Sequence, residues 1–222
     1  MTFSIIMPCE ENRLDLLGKT LDKYNELGIP ENTEFIIPSR TIMAYPKCRV
    51  IYYEHKGKDF NPSRALNLGV QFAKNDYIII TSPEVMPITD VLDQLWEERG
   101  NNVICQVFDQ NAEGKISYSL VNSKFRSGTP CMYFLALFNK KDVEAINGWD
   151  ENFMTGYAWE DDDFGRRFVR AGLAFKVRDD IQAIHQFHPR EVMGNGWNNN
   201  RALLDKNDAE RVIKPKNGLR KL

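Results

Sequence analysis

Four consecutive carboxylates at residues 160–163, in the order Glu-Asp-Asp-Asp, are the strongest chemical signal in the sequence. One or two would satisfy the positive end of a helix dipole, which is the ordinary structural interpretation. Four in a row repel one another, which raises some of their pKa values. Tyr157 and Trp159 precede them, and aromatic rings beside carboxylates suit a sugar, whose apolar face stacks while its hydroxyls need acceptors. The stretch therefore indicates a carbohydrate site.

The elements that must position this stretch begin with an alternating first half. Short apolar runs predict strands at 3–7, 34–38, 49–53 and 77–81, and periodic apolar residues predict helices at 14–28, 65–73 and 89–99. Such alternation is typical of a mostly parallel sheet covered by helices, whose ligands collect at the carboxyl ends of the strands. We therefore expect residues 1–100 to form a nucleotide-binding half.

After residue 100 the pattern changes, and the sheet is expected to become mixed. We predict strands at 102–108, 116–121, 132–138, 173–177 and 183–187, and helices near 140–147 and at 160–171. A hairpin loop is predicted at 109–115, and a glycine-containing loop at 195–200 has the composition of a lid. The prediction is one α/β domain over 1–205, with 101–205 as its second half. A mobile, basic tail is predicted at 206–222.

Composition excludes several classes of protein. The 222 residues carry 29 Lys+Arg against 31 Asp+Glu, so no general attraction to polyanions is expected. The apolar runs are far shorter than the ~20 residues of a membrane helix. The four cysteines lie far apart, without the paired spacing of a zinc site. We interpret them as reduced, mostly core residues of a cytoplasmic protein.

Four blocks of the sequence resemble the nucleotide-sugar glycosyltransferases of the GT-A fold, especially family-2-like enzymes with a galactosyltransferase-type C-terminal segment. The blocks are Ser4–Pro8, Ser63–Ala73, Gly148–Glu151 and Glu160–Asp163. Their order and spacing agree with that family over most of the chain. The resemblance implies a GT-A fold, a UDP-sugar donor, a divalent cation (Mn²⁺ or Mg²⁺) and an acceptor hydroxyl on a glycan or another molecule.

The resemblance also implies a metal site, with one departure from the family. Where the family has Asp-x-Asp, this sequence reads Ser82-Pro83-Glu84, so one carboxylate remains. The late histidines of the family correspond to His185 and His188, which would complete the site. The alternative is one buried and one exposed structural histidine. Because successive residues of a regular strand face opposite ways, we expect only one of the two to bind metal.

Further roles follow from the same resemblance. Asp161 matches the general base, Glu160 would hold sugar hydroxyls, and Asp163 is the second candidate base, which together imply inversion at the donor carbon. The residues expected to bind the nucleotide sugar are Pro8, Glu10, Arg13, Arg64, Asn67, Ser82 and Trp159. Arg64 and Asn67 lie one helical turn apart and share a face. From the residues alone, Arg64 would be an ordinary solvated arginine.

Two alternatives stay open at this point. The eroded Asp-x-Asp is compatible with a module that binds glycans or nucleotide sugars without turnover, although the intact cluster at 160–163 argues against it. A nucleic-acid acceptor rests only on six basic residues in the segment 206–222, and scattered basic residues are more often a solvated end.

Overall fold

A computed structural model describes residues 1–41, 44–45, 48–52, 60–123, 134–153, 158–189 and 195–219 of the chain. Within these ranges, no helix combines the length and the apolar character needed to cross a membrane. The predicted aromatic neighbour Tyr157 and the cysteine Cys131 lie outside the described residues. Cys9 and Cys105 are buried free thiols, as expected of core cysteines.

Nine strands, six α-helices and a short 3₁₀ helix (Glu11–Arg13) make up the described fold. The strands are β1 (Ser4–Ile6), β2 (Glu34–Ser39), β3 (Cys48–Tyr52), β4 (Tyr77–Thr81), β5 (Val85–Pro87), β6 (Val103–Gln110), β7 (Ile116–Val121), β8 (Leu135–Asn139) and β9 (Lys176–His185). The helices are α1 (Leu14–Leu27), α2 (Pro62–Phe72), α3 (Val91–Glu97), α4 (Lys140–Ala145), α5 (Glu160–Arg170) and α6 (Asn195–Ala209). The predicted alternation of the first half is confirmed, with the short strand β5 as an unpredicted addition.

Local sequence signals account for the helix ends in the first half. Helix α1 ends at Gly28, whose φ of +88° is readily adopted only by glycine. Helix α2 begins after Asn61, whose side chain accepts a hydrogen bond from the Arg64 amide at 2.9 Å, with Pro62 in the first turn. These residues determine where α1 ends and where α2 begins.

The strands form one mixed sheet in the order β3-β2-β1-β4-β8-β6-β9-β5, with β7 paired to β6. Strands β1 to β4 run parallel. Strand β8 is antiparallel to both β4 and β6, and β9 is parallel to β6. Strands β1, β4, β6 and β9 therefore all point the same way, and their C-terminal ends meet at one edge, here called the carboxyl edge.

The predicted strands at 173–177 and 183–187 are one continuous strand, β9. Its register against β6 shifts between Cys105 and Gln106, where the partner changes from Arg178 to Gln182. Such a bulge absorbs extra residues without ending the strand. The polar residues of the bulge have the composition of a loop, so the sequence pattern predicts two strands instead of one.

The predicted lid loop at 195–200 is wrong, because these residues form the first turns of α6. Residues 206–219, predicted to be a mobile end, are described in the structure and make defined backbone contacts. Helix α6 continues to Ala209, and the Asn147 carbonyl accepts a hydrogen bond from the Leu219 amide at 2.8 Å. Asn217 likewise accepts from the Glu151 amide at 2.7 Å. Backbone hydrogen bonds hold this segment, which the count of basic residues could not reveal.

Helix α5 packs on the sheet through an aromatic cluster. Phe164 stacks on Trp149 with ring centroids 4.1 Å apart, and one turn later Phe168 contacts Phe138 of β8. Phe168 also contacts Phe175, which lies next to the start of β9. The C-terminal half of α5 thus lies toward the opposite edge of the sheet. Its first turn, with the four carboxylates, points toward the carboxyl edge.

Candidate active site

The carboxyl edge gathers residues that are far apart in the sequence. Glu84 follows β4, Asp109 lies near the end of β6, and His185 is the last residue of β9. Register places Asp109 beside His185, and the antiparallel partner of His185 on the other side is Val85. The fold therefore brings two carboxylates and a histidine to one place.

The loop that carries Glu84 is held on both sides. The Thr20 hydroxyl of α1 donates to the Pro83 carbonyl at 2.7 Å and accepts from the Gln186 amide group at 3.0 Å. The Gln186 backbone amide donates to the Glu84 carbonyl at 2.8 Å. Because the backbone is fixed from α1 and from the segment after β9, the Glu84 carboxylate is presented in a defined position.

Both histidines are held in the same tautomer. His185 Nδ1 lies 3.1 Å from Asp109 Oδ1, and His188 Nδ1 lies 3.0 Å from the Pro189 carbonyl oxygen. A carbonyl and a carboxylate can only accept, so each Nδ1 carries the proton and donates it. Each Nε2 then keeps a lone pair, the form in which imidazole binds metals.

Glu84, His185 and His188 form a candidate metal centre. One ligand atom of each lies within 4.8 Å of the others, and His185 Nε2 is 3.9 Å from Glu84 Oε1. The other oxygen, Glu84 Oε2, is buried without a hydrogen-bond partner among the described residues. Oxygen and imidazole donors fit Mn²⁺, so the residues present suit the divalent cation that the sequence resemblance implies.

The expectation that only one histidine could reach a metal assumed that both lie on a regular strand. Strand β9 ends at His185, and His188 follows three residues later outside it. The ring centroids are 5.1 Å apart, and both imidazoles face Glu84. The alternation argument therefore does not apply to His188.

Asp109, which contacts His185 of this centre, is not among the site residues predicted from the sequence. The sequence prediction placed it in a hairpin loop, whereas it lies in β6 and is 8% exposed. A carboxylate that holds the far nitrogen of a metal-binding histidine sets both ring orientation and basicity. An acidic residue at the end of an apolar strand could have indicated a functional role. The turn residues that follow it directly in the sequence made a loop the simpler interpretation.

The loop after β1 lies beside the metal centre. Arg13 Nε is 4.0 Å from Glu84 Oε2, which links this loop to the centre. Glu10 accepts from Arg40 Nε at 3.1 Å, so its charge is compensated. Burial raises the pKa of Cys9 to about 12, with smaller contributions from Glu84 and Glu10, so this thiol stays protonated. Pro8 connects the strand to this loop.

Ser82, between β4 and Glu84, has a buried hydroxyl with no partner among the described residues. Arg64 lies at the first turn of α2. Neither position conflicts with a role toward a nucleotide sugar, and both assignments remain predictions.

Asn67 was predicted to bind the nucleotide sugar, and its contacts are structural instead. It is 1% exposed; its amide donates to the Trp149 carbonyl at 2.9 Å, and its oxygen accepts from the Trp149 amide at 2.9 Å. It also donates to Glu151 Oε1 at 3.1 Å. A Cβ on Gly148 would lie 2.3 Å from the Asn67 oxygen, so this close approach requires glycine.

The first turn of α5 places Glu160 and Asp162 in environments that favour protonation. Burial, and after it the Asp161 charge, raises the pKa of Glu160 to about 8. Burial, then Asp161, raises the pKa of Asp162 to about 6. Glu160 Oε2 is buried without a hydrogen-bond partner among the described residues. Asp161 is 7% exposed, and its Oδ1 accepts from the Asp162 amide at 2.8 Å.

Asp163, the second candidate base, is occupied elsewhere. Its Oδ2 accepts from Arg167 Nε at 2.6 Å, and both side chains are fully buried. Its Oδ1 accepts from Asn207 at 2.9 Å, which ties α5 to α6. A carboxylate enclosed in an ion pair cannot take a proton from an acceptor, so Asp163 has a structural role.

The backbone just before α5 is strained, because Ala158 and Trp159 have φ of +61° and +74°. Such conformations cost about 1–3 kcal/mol each in non-glycine residues and persist only when the surroundings impose them. Trp159 is held by Trp197 of α6 at 4.9 Å between ring centroids and by the Arg201 guanidinium at 4.7 Å. Helix α6 thus fixes the entry to the acidic turn.

Comparisons with known proteins agree with this architecture. Residues 116–189, one third of the chain, match a family model described as the N-terminal domain of galactosyltransferase. A search among curated proteins found no sequence match.

Solved structures are similar over nearly the whole chain. The catalytic domain of Drosophila β1,4-galactosyltransferase 7, solved with xylobiose, superposes with a TM-score of 0.60 at 16% identity, over 90% of this chain and 79% of that one. S. aureus TarS gives a TM-score of 0.66 at 11% identity, over 93% of this chain and 39% of that one.

The mannosyltransferase PcManGT of Pyrobaculum calidifontis, solved with GDP-Man and Mn²⁺, gives a TM-score of 0.62 at 15% identity, over 97% of this chain and 65% of that one. The chain thus spans less than two thirds of TarS and of the mannosyltransferase. The protein has the fold of the GT-A glycosyltransferases, and the predicted resemblance is confirmed at that level.

Proposed function

We propose that this protein is a metal-dependent glycosyltransferase that moves a sugar from a UDP-sugar to an acceptor hydroxyl. The observation that carries the proposal is the cluster of Glu84, His185 and His188 at the carboxyl edge, with both histidines held in the metal-binding tautomer. Open α/β sheets bind ligands at this edge. The first turn of α5 points to the same edge and supplies the acidic groups.

Glu84, His185 and His188 would hold a Mn²⁺ or Mg²⁺ ion. When bound, such an ion neutralises the charge that develops on a diphosphate leaving group. Of the structures of similar fold, one holds manganese with UDP-Gal, one holds UDP-GlcNAc, and one holds GDP-Man with Mn²⁺. These ligands support a nucleotide-sugar donor here, and the UDP-sugar is the more specific part of the proposal.

Asp161 would take the proton of the acceptor hydroxyl. A poor nucleophile at neutral pH needs a positioned base, and Asp161 stands in the acidic turn where Asp163 is already paired. Glu160, with a pKa of about 8, would be largely protonated at neutral pH and could donate a hydrogen bond to a sugar oxygen. A base on one side and a leaving group on the other lead to inversion.

The remaining donor contacts would come from the first half of the chain. Arg13, beside Glu84, would contact the diphosphate, and Pro8 and Glu10 belong to the same loop. Arg64 and Ser82 would complete the donor side. Trp159, whose ring already contacts Trp197 and Arg201, would border the sugar rather than stack freely on it.

The test is a panel of UDP-sugars, incubated with and without Mn²⁺, in which free UDP released by slow hydrolysis is measured. We expect at least one donor to give UDP release that depends on Mn²⁺. Glu84→Ala should weaken donor binding in Mn²⁺ and leave binding without metal unchanged, because it removes the carboxylate of the cluster. Glu97→Ala, an exposed carboxylate on α3, is the matched control.

Two outcomes would contradict parts of this proposal. Equal losses for Glu84→Ala with and without Mn²⁺ would exclude its metal role. Tight donor binding without UDP release from any donor would instead indicate a module that binds nucleotide sugars without turnover.

A further inference from the structure

A cavity of about 370 Å³ adjoins the candidate metal centre. His185 and His188 line one end of it, and the hairpin of β6 and β7 lines the other. The donor-side residues lie after β1 and β4, whereas this cavity lies beside β6, β7 and the segment after β9. It is therefore a different part of the carboxyl edge.

The register of three strands connects the cavity to the metal centre. Asp109 of β6 is paired with Tyr118 of β7 on one side and with His185 of β9 on the other. Paired residues on adjacent strands face the same way, so the three side chains form one row. Because neighbouring strands lie ~4.8 Å apart, Tyr118 is about 10 Å from His185 along this row.

The lining has the chemistry of a carbohydrate site. Tyr118 and Phe187 are 51% and 48% exposed, which leaves two aromatic surfaces open to a ligand. Gln110 and Asn111 bring amide groups to the same wall, and Gln110 Nε2 is oriented by a 2.9 Å bond to the Gly114 carbonyl. Aromatic faces with a few placed polar groups suit a neutral molecule that has both an apolar face and hydroxyls.

The charge of the lining argues against anionic ligands. No lysine or arginine is among the described residues that line the cavity, and Asp109 contributes a carboxylate. A nucleic acid or a phosphorylated acceptor would meet no lysine or arginine side chain among these lining residues. A neutral saccharide would meet no such penalty.

We propose that this cavity is a subsite for an oligosaccharide acceptor, with Tyr118 and Phe187 as stacking surfaces for a sugar unit next to the unit that receives the transferred sugar. The identity of the ligand as an acceptor rests on the proposed function. Saccharide binding itself does not depend on it, because the cavity requires neither donor nor metal. The acceptor class is then a chain of at least two sugar units.

The experiment measures binding of xylobiose, cellobiose, lactose and N,N′-diacetylchitobiose by saturation-transfer NMR and titration, with glucose as the single-unit comparison. We expect at least one disaccharide to bind more tightly than glucose. Tyr118→Ala should raise its dissociation constant about tenfold, and Tyr118→Phe should leave it within about twofold, because the ring is retained. Ile116→Ala, exposed on the same strand outside the cavity, is the matched control.

Several results would overturn the subsite. These are no saturation transfer to any saccharide, the same affinity for Tyr118→Ala as for the unaltered protein, or binding of a deoxyoligonucleotide in place of the saccharides. UDP release by the unaltered protein is measured separately. Saccharide binding without UDP release would contradict the proposed function alone, and UDP release without saccharide binding would contradict the subsite alone.

Discussion

Removal of the Asp109 carboxylate should weaken metal binding although Asp109 does not belong to the Glu84–His185–His188 cluster. Asp109 accepts the Nδ1 proton of His185 at 3.1 Å, and both side chains are buried. Asp109→Ala deletes this acceptor and leaves the three cluster residues in place. The variant therefore separates the orientation of His185 from its presence.

The expected loss of Mn²⁺ affinity follows from the ring orientations and tautomers of His185 that the contact with Asp109 excludes. Without Asp109, the ring can adopt two flips and two tautomers, of which one arrangement presents a lone pair at the right place. A competent fraction of about one quarter weakens apparent affinity about fourfold. Loss of the charged hydrogen bond also lowers the basicity of the imidazole, and such partners typically change metal affinity by about 10–100-fold.

The assay is a titration with Mn²⁺ followed by isothermal calorimetry, which needs neither donor nor acceptor. We expect the Mn²⁺ dissociation constant of Asp109→Ala to rise about 10–100-fold, equivalent to about 1.4–2.7 kcal/mol. Asp109→Asn should show a smaller loss, because its oxygen can still accept from Nδ1 but carries no charge. Asp179→Ala, in the bulge of β9 about 10–13 Å along the sheet from His185, controls for removal of a carboxylate.

The reasoning would be refuted if Asp109→Ala bound Mn²⁺ within about twofold of the unaltered protein while Glu84→Ala lost binding. A thermal melt of each variant separates weakened binding from unfolding, because Asp109 is 8% exposed and its loss can also affect the sheet.

Three further predictions concern helix α5. Asp161→Asn should lower kcat about 10²–10⁴-fold and leave the donor dissociation constant nearly unchanged, measured by steady-state kinetics and calorimetry; a normal kcat would exclude Asp161 as the base. Asp163→Ala should lower the free energy of unfolding by about 3–5 kcal/mol in urea, because it leaves the buried Arg167 charge unpaired; a change below about 1 kcal/mol would contradict the structural role of Asp163. The pKa of Glu160 is about 8 in the folded protein and 4.5 in an unfolded chain, so the folded state keeps this proton at a pH where the unfolded state loses it. The free energy of unfolding should therefore fall as the pH rises from 4.5 to about 8. Urea unfolding at several pH values should show this slope and its loss in Glu160→Gln; the same slope in both proteins would exclude Glu160 as its source.

Much of the fold was predictable because local signals and the final structure agree. The apolar run at 77–81 is strand β4, and Gly28 ends α1 where the pattern placed it. The strand order, with β8 between β4 and β6, could not be derived in this way. That order depends on contacts between distant segments, which no local periodicity contains.

The site was predictable in its residue types and less so in their roles. Glu84, His185 and His188 were named and lie together. Asn67 and Asp163 were assigned to ligand chemistry, yet each makes buried polar contacts within the protein. A polar residue that binds a ligand and one that holds the core have the same letter in a sequence, and only the partner distinguishes them.

The pairing of β5 with β9 has a consequence for how the chain folds. Val85 and His185 are partners across the sheet although 100 positions separate them in the sequence. During synthesis, β5 leaves the ribosome long before its partner exists, so its pairing waits for the last strand. Glu84 gains its anchor from Gln186 at the same moment. The proposed cation site is thus complete only once β9 has been synthesised, and a nascent chain that stops short of β9 lacks both of its histidines.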